Sequence, residues 1–406
     1  MHVQFVGECT SLFFVVHFLF YSLTTVSFSQ ISLPAYGVSP VTGFLPEHPQ
    51  FVLPMSSVPW YRLACYLSKY LLTGKLRSFI EQLPPYEPDT DMPAETGMRM
   101  LSYLGHAYLW GDAHHVPDRL PARLSDAWCM VAEQVGRPPI LSYPSYCLYN
   151  YRVIDPAQPP YIGNIEIVQN FLGGADEDWF ILIHVDIEAR AAQALRVIPD
   201  ALLAAHTGDL PRLTNALKEV EAGLGAMNAT MLRMPEYCDP YIYYTRVRPY
   251  IFGTKNNPAL PNGLVYEGHF DNQPQLFRGE TGAQSAIVPT IDGLLGIEHA
   301  NDPLREYLME MRTYMVPAHR RFIEAVESRS QVRAAVEANP DNVPLNEVYQ
   351  ACVGQLYAFR AKHLEYAATY IHKQGMQANN STSVGTGGTP FMQYLAKHRD
   401  ETKVVV

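Results

Sequence analysis

The segment 351–372, ACVGQLYAFRAKHLEYAATYIH, is the part of the sequence that most restricts the fold. Its apolar residues recur at three- and four-residue steps, which places Cys352, Leu356 and Phe359 on one face of a long helix. His363 lies in the middle of this face. A buried imidazole needs partners for its nitrogens, so it must be hydrogen-bonded, catalytic or bound to a metal. On spacing alone a hydrogen-bonded core histidine is the commoner outcome, and all three alternatives stay open.

Helical spacing recurs through most of the chain, whereas strict alternation of apolar and polar residues is rare. We therefore predict an all-α fold. The 406 residues, of which 48% are hydrophobic, suffice for a small helical domain over 31–160 and a large helical bundle over 161–406. Residues 374–388 are polar and glycine-rich, and we expect them to form a mobile loop after the His363 helix.

Residues 1–30 differ in composition from the rest of the chain. An apolar run over 12–21, followed by Ser27-Phe28-Ser29, is typical of a signal peptide with its cleavage site. No lysine or arginine precedes the run, however, so a spurious upstream extension of the reading frame fits equally well. Both alternatives stay open. The expected location is cytoplasmic, with secretion if this segment works as a signal.

The charge balance and the missing motifs exclude several classes of protein. A formal net charge of -10 at pH 7 argues against a nucleic-acid-binding protein, because binding requires a surface rich in lysine and arginine. The six cysteines form no C-x-x-C pair, which disfavours a zinc ribbon. Hydrolase, P-loop and H-E-x-x-H motifs are missing. We expect a small-molecule partner and no membrane association.

Three further places in the sequence invite a functional interpretation. Phe180 and His184 are neighbours at i and i+4 on an apolar helix face, although a hydrogen-bonded core histidine is again the commoner outcome. In the segment 241–249 aromatic residues surround two arginines, Arg246 and Arg248, and a buried arginine requires an anion, either a ligand carboxylate or an internal partner. Arg360 precedes His363 by one turn, within reach of an acidic cofactor edge or of Asp292.

From about residue 36 to 402 the chain resembles the indoleamine 2,3-dioxygenases, haem enzymes that insert dioxygen into the indole ring of tryptophan. The chain resembles the fungal and bacterial members, which have histidine in the distal pocket, more closely than the vertebrate form. Six separated strings carry it in the family's order: HVDIEARAAQAL (184–195), CDPYIYYTRVRPYIFGTKNNPALPNGLVYEG (238–268), GAQSAIVPTIDGLLGIEH (282–299), MRTYMVPAHRRF (311–322), FRAKH (359–363) and GTGGTPFM (385–392).

The resemblance implies that haem b is the cofactor and that His363 is the proximal ligand of its iron. Phe180 and His184 match the catalytic distal pocket, where they contact the indole ring and its N–H. Arg248 matches the residue that binds the substrate carboxylate. The other implied site residues are Tyr143 and Tyr243 in the aromatic wall, Thr386 and Gly387 in the closing loop, and Arg360, Asp292, Thr281 and Gly282 beside the haem.

Three positions depart from the family's pattern. Glu280 introduces a carboxylate where a Gly-Gly-Ser-type loop is common, and Pro390 replaces an acidic residue after GTGGT. Tyr243 stands where some members have phenylalanine, which adds a hydroxyl group that needs a partner. Each departure is expected to raise the apparent KM without removing an atom that the chemistry needs.

The implied activity is insertion of O2 across the indole 2,3 bond of L-tryptophan to give N-formylkynurenine, the first step of the kynurenine pathway toward NAD. The resemblance further implies an electron donor that keeps the haem ferrous and a monomeric protein. The alternative is a haem or small-ligand binding protein of low or no activity on the same scaffold.

Overall fold

A computed structural model of the protein describes residues 31–47, 49, 58–87, 93–112, 114–377, 386 and 391–403. The segment 1–30, Gly387 and Pro390 lie outside these residues, as does most of the predicted loop 374–388. The expectations for them therefore stay predictions. From residue 31 onward the described residues belong to one compact unit, and the predicted division near residue 160 stays a prediction.

Helices dominate the described chain, as the spacing of apolar residues predicts, and the all-α prediction is confirmed. No described helix is both long and apolar enough to cross a membrane. The helices are α1 (Val58–Cys65), α2 (Leu67–Leu72), α3 (Leu76–Glu81), α4 (Ala94–Trp110), α5 (Ala122–Val135), α6 (Ala175–Leu195), α7 (Ile198–Thr207), α8 (Leu210–Met231), α9 (Pro240–Ile242), α10 (Arg248–Ile251), α11 (Ile287–Leu295), α12 (Pro303–Arg312), α13 (Pro317–Glu327), α14 (Val332–Glu337), α15 (Val343–Ala367), α16 (Lys373–Gln377) and α17 (Phe391–Thr402).

The described strands are short and form two small two-stranded sheets. Strands β1 (Arg119–Leu120) and β4 (Val265–Tyr266) pair in parallel, and β2 (Tyr151–Val153) and β3 (Ile165–Ile167) pair antiparallel. Such short pairs cannot build a core of their own. They connect loops to a helical scaffold.

The helices α6, α8 and α15 pack side by side, and α17 lies against α15. Local residues set their ends. The Asp209 side chain accepts a hydrogen bond from the backbone N–H of Arg212 and so caps α8. Pro199 lies in the first turn of α7, where its missing N–H costs nothing, so the chain turns between α6 and α7. Helices α6 and α15 thus both pack against α8.

Helix α15 carries His363, as predicted, but its limits differ from the expected 351–372. It begins eight residues earlier, after Asn342, whose side chain accepts a hydrogen bond from the N–H of Leu345 at 3.3 Å. At its C-terminal end the helix widens into a π-helical turn over Ala368–His372. A 3.6-residue period cannot reveal such a turn.

Two further π-helical segments, Pro144–Leu148 and Tyr243–Val247, pack on α6. The segment Tyr243–Val247 packs on Ala368–His372, with the rings of Tyr243 and Tyr370 5.8 Å apart. π-Helical turns are uncommon and occur frequently at functional sites. The π-helical segments therefore mark the region beside α6 and the C-terminal end of α15 as a candidate functional site.

A close crossing of two glycines fixes the loop that contains Glu280. A Cβ on Gly253 would lie 2.1 Å from the backbone nitrogen of Gly279, and a Cβ on Gly279 would lie 2.2 Å from that of Gly253. The backbone N–H of Glu280 donates to the carbonyl of Ile251 at 3.0 Å beside this crossing. Only glycine leaves room for the two backbones.

We predict that Gly253→Ala lowers the free energy of unfolding by about 1–3 kcal/mol or more, since backbone atoms must move to admit the methyl group. Urea denaturation followed by circular dichroism measures the change. Gly354→Ala in α15 is the matched control. No described atom lies within 4 Å of a Cβ there, so alanine is expected to stabilise the helix by about 0.5–1 kcal/mol. Equal effects of both substitutions would show that the crossing imposes no constraint.

Candidate active site

A cavity of about 850 Å³ lies between α6, α8, α11, α12, α15 and α17. Its size is near the upper end of the range for pockets that hold small molecules and cofactors. The predicted site residues on its wall are Tyr143, His184, Thr281, Gly282, Asp292, Arg360, His363 and Thr386. The structure thus brings together residues that lie more than 200 positions apart in the sequence.

His363 presents its imidazole to this cavity from α15. The sequence predicted that this ring is buried. In the structure the side chain is instead exposed, and it faces the cavity. It makes no hydrogen bond to any described residue. The surrounding protein, and next the nearby His184, lower the pKa of His363 to about 4. A neutral imidazole with an open nitrogen is the form that binds a transition metal.

His184 lies on the wall of the same cavity, on α6. Its Nδ1 is 2.7 Å from the carbonyl oxygen of Phe180, one turn earlier. Because a carbonyl oxygen only accepts, Nδ1 carries the hydrogen and Nε2 is left as an acceptor. Burial lowers the pKa of His184, which keeps the ring neutral.

A layer of aromatic rings packs behind His184. The Phe180 ring lies 4.5 Å from the His184 ring and 4.8 Å from that of Tyr243, centroid to centroid. Tyr143 meets His184 edge-on at 6.0 Å. Tyr143 and His184 form part of the cavity wall, whereas Phe180 and Tyr243 belong to the layer that supports it. These distances suit tilted and edge-to-face ring contacts.

Arg248 belongs to the same supporting layer. Its guanidinium group lies 5.3 Å from the ring of Tyr244 and 5.1 Å from that of Phe252, at cation–π distances. Burial lowers the pKa of Arg248. The structure therefore places this cation in an apolar, aromatic setting close to Tyr243.

Thr386 is the described residue of the predicted closing loop, and it contacts the Glu280 segment. Its Oγ1 donates to the carbonyl oxygen of Glu280 at 2.7 Å, and its own carbonyl accepts from the N–H of Gly253 at 3.3 Å. The carboxyl group of Glu280 is only 2% exposed, and its Oε1 has no hydrogen-bond partner among the described residues. Burial raises the pKa of Glu280 to about 8.

Glu188 is a site residue that sequence reasoning missed. Its Oε1 accepts hydrogen bonds from the hydroxyl groups of Tyr143 at 2.9 Å and Ser285 at 2.7 Å, both on the cavity wall. Burial raises the pKa of Glu188 to about 7. The sequence feature that could have identified Glu188 is its position one helical turn after His184, which puts both side chains on one face of α6.

Asp292 and Arg360 form an ion pair at the opposite part of the wall, with Arg360 Nη2 2.6 Å from Asp292 Oδ2. Arg360 Nη1 also donates to Thr402 Oγ1 at 2.5 Å, which ties α15 to α17. Burial alone would raise the pKa of Asp292, but Arg360 and His299 bring it well below its usual range. His299 bridges Asp292 and Glu401 and was not predicted from the sequence.

Comparisons with known proteins agree on one family. Residues 32–405 match the family model described as Indoleamine 2,3-dioxygenase. The chain is 35% identical to indoleamine 2,3-dioxygenase 1 of Rattus norvegicus, over 91% of this chain and 95% of that protein. It is 30% identical to indoleamine 2,3-dioxygenase acdA of Aspergillus candidus, over 92% and 97%. It is 33% identical to 6-hydroxytryptophan 2,3-dioxygenase fscD of Fusarium equiseti, over 87% and 88%.

We predict that Glu188→Gln flattens the pH dependence of stability. A carboxyl group with a raised pKa binds its proton more tightly in the folded state, so its contribution is complete below about pH 4.5 and is lost as pH rises through about 7. For this shift the loss amounts to about 3 kcal/mol at most. Glutamine keeps the acceptor oxygen for Tyr143 and Ser285 but cannot ionise.

Urea denaturation between pH 4 and 8 measures this effect, with Glu133→Gln at an exposed position of α5 as the matched control. The control should follow the wild-type pH profile. If the Glu188 variant also follows it, Glu188 is not protonated in the folded protein.

Proposed function

The chain belongs to the indoleamine 2,3-dioxygenase family, and from this premise we propose that it inserts O2 across the indole 2,3 bond of L-tryptophan to give N-formylkynurenine. The family makes it an oxidoreductase of the dioxygenase type. The observation that carries the proposal is His363, a neutral imidazole without a hydrogen-bond partner in the described chain, facing a cavity of about 850 Å³. Such a residue is available to bind a metal through its open nitrogen.

The residues of the cavity fit haem b as the cofactor. His363 would hold the iron as its proximal ligand. Arg360 provides a cation and Thr281 and Gly282 provide loop surface for the edge of the group, all on the cavity wall. Asp292 keeps the guanidinium of Arg360 in place through their contact at 2.6 Å. When bound, ferrous haem supplies the activation of dioxygen, for which protein side chains have no equivalent.

The remaining work of the protein is to orient the indole ring. His184 holds its hydrogen on Nδ1, so its Nε2 is able to accept a hydrogen bond from the indole N–H. Phe180 keeps His184 in place, since it receives the Nδ1–H bond and its ring packs on the imidazole. Tyr143 and Tyr243 add aromatic surface that suits a flat substrate. Holding two reactants in a productive geometry contributes roughly 7–11 kcal/mol to catalysis when the alignment is good.

Arg248 would bind the carboxylate of the substrate. A guanidinium group matches a carboxylate with two parallel hydrogen bonds. The apolar setting between Tyr244 and Phe252 strengthens such a contact, because few water molecules compete for the charge. Thr386, and Gly387 beyond the described residues, would close over the substrate and exclude water from it. The hydrogen bond from Thr386 to the Glu280 carbonyl supports this role.

Glu280 favours one alternative, a haem or small-ligand binding protein with little or no turnover. A buried carboxyl group beside the closing segment alters the polarity of the region that contacts Thr386. If it ionises, the charge repels the substrate carboxylate. A turnover assay separates the two functions. We further propose that the reaction begins the kynurenine pathway toward NAD, that an electron donor keeps the iron ferrous, and that the protein is a monomer.

We expect His363→Ala to abolish the haem Soret band of the purified protein, because the substitution removes the imidazole that would hold the iron from α15. Absorption spectra of wild type and variant, normalised to protein concentration, measure the loss. His372→Ala, on the π-helical turn that follows α15, is the matched control and should keep the band. Unchanged haem content and ligation in His363→Ala would refute the assignment of the iron ligand.

With reductant, O2 and L-tryptophan, we expect wild-type protein to accumulate the absorbance of N-formylkynurenine. Arg248→Ala should lower kcat/KM by about 10- to 150-fold, corresponding to loss of a charge-assisted hydrogen bond of about 1.5–3 kcal/mol. Its haem content should remain that of the wild type. Arg246→Ala, at an exposed position two residues earlier, is the control and should retain activity.

The outcomes separate the two functions. Wild-type protein that binds haem but forms no product at millimolar tryptophan would support the binding-protein alternative. An Arg248→Ala variant with wild-type kcat/KM would remove Arg248 from the substrate site while leaving the reaction itself in place.

A further inference from the structure

We propose that Asp292, His299 and His398 form a binding site for a divalent metal ion of the zinc type at the wall of the cavity, separate from His363. Asp292 lies on α11, His299 just beyond its C-terminal end and His398 on α17. Each offers one ligand atom, and these atoms lie within 4.8 Å of one another. Nothing in the proposed reaction requires such an ion.

The spacing of the first two ligands fits a metal ion. His299 Nε2 lies 3.2 Å from Asp292 Oδ2. Two ligands bound to one tetrahedral zinc ion at about 2.0–2.2 Å from it are about 3.3–3.5 Å apart, so the observed distance needs little adjustment. The pair is already arranged nearly as it would be around the ion.

The hydrogen bond on the other side of His299 also fits. Its Nδ1 is 2.7 Å from Glu401 Oε2, and since a carboxylate only accepts, Nδ1 carries the hydrogen. A second proton on Nε2 would allow a hydrogen bond to Asp292, and a metal ion would take the place of this proton between the two side chains. A histidine that binds zinc through one nitrogen commonly donates the other N–H to a carboxylate. Glu401 and His299 have this arrangement.

Two polar atoms of the cluster lack partners. Asp292 is 6% exposed, and its Oδ1 is buried without a hydrogen bond to any described residue. His398 Nε2 is likewise buried and unsatisfied within the described chain. The rings of His398 and His299 lie 4.3 Å apart. A bound ion would satisfy His398 Nε2, and a carboxylate that binds the ion through both oxygens would also satisfy Asp292 Oδ1, whose burial otherwise costs free energy.

The charges around the cluster allow a cation despite Arg360. Asp292 and Glu401 offset Arg360, and Asp302 pairs with Lys397 close by. Carboxylates therefore outnumber cationic groups by one. Arg360 donates to Asp292 Oδ2 and to Thr402, so it orients the ligand from outside the site.

The chemical types of the three ligands determine which metal ions the site would bind. Two imidazoles and one carboxylate suit zinc and other late first-row metals, whereas calcium and magnesium require oxygen ligands. Because His398 comes from α17 and Asp292 from α11, the ion would fasten α17 to the wall. All three ligands line the cavity, so the remaining coordination position faces its interior.

The test is calorimetric titration of zinc chloride into the full-length protein as purified, after treatment with a chelator. We expect saturable binding at one site. His398→Ala should weaken it at least tenfold, and Glu401→Gln by about 10- to 100-fold, as for other carboxylates that hydrogen-bond a metal-binding histidine. His115→Ala, at an exposed position, is the matched control and should leave the affinity unchanged.

Circular dichroism on each variant establishes that it is folded, and Glu401→Gln keeps the test valid if His398→Ala fails to fold. Zinc should also raise the midpoint of thermal unfolding of the wild type, and not that of Glu401→Gln. Absence of saturable binding, or equal affinity of the wild type and folded His398→Ala or Glu401→Gln, would overturn the proposal. The readouts do not involve turnover, so failure here leaves the proposed dioxygenase activity standing.

Discussion

The structure depends on an imidazole that faces a cavity without a hydrogen-bond partner among the described residues. His363 presents this ring from α15, and the surrounding protein lowers its pKa, which favours the neutral form. A polar group enclosed by protein is stabilised by a partner, either from the fold or from a ligand. Two neighbouring side chains find partners in the fold: His184 is bonded to Phe180, and Arg360 to Asp292. The nitrogen of His363 stays open to a cofactor.

The all-α class and several neighbouring pairs of side chains could be predicted from the sequence, because they follow from the spacing of residues along a helix. His184 beside Phe180 is an i, i+4 relation within α6, and Arg360 precedes His363 by one turn of α15. Periodicity could show that His363 lies on an inward face, but not that this face borders a cavity. Whether a helix face borders a core or a cavity depends on the segments that lie opposite it. Here residues of α6 and α11 form part of the cavity wall opposite α15. The family resemblance, carried by long matching strings, supplied the cofactor.

The residues that were missed act through contacts between distant segments. Glu188 meets Ser285 across 97 positions, and His299 meets Glu401 across 102. No local pattern marks either pair, since glutamate on a helix is ordinarily solvated. Both pairs join a residue of the cavity wall, Ser285 or His299, to a glutamate behind it. The region is therefore more polar beneath its surface than its aromatic lining indicates.

The three π-helical turns have a further consequence for how the chain tolerates change. Each contains one more residue per turn than an α-helix, so it offsets everything that follows by about 100° around the helix axis. Tyr243 and Tyr370 meet where two such turns pack against each other. Removing a single residue from either turn would restore ordinary winding and rotate the aromatic rings away from α6. In alignments of related chains, a gap in these turns is thus a larger change than most substitutions, even where every named side chain is retained.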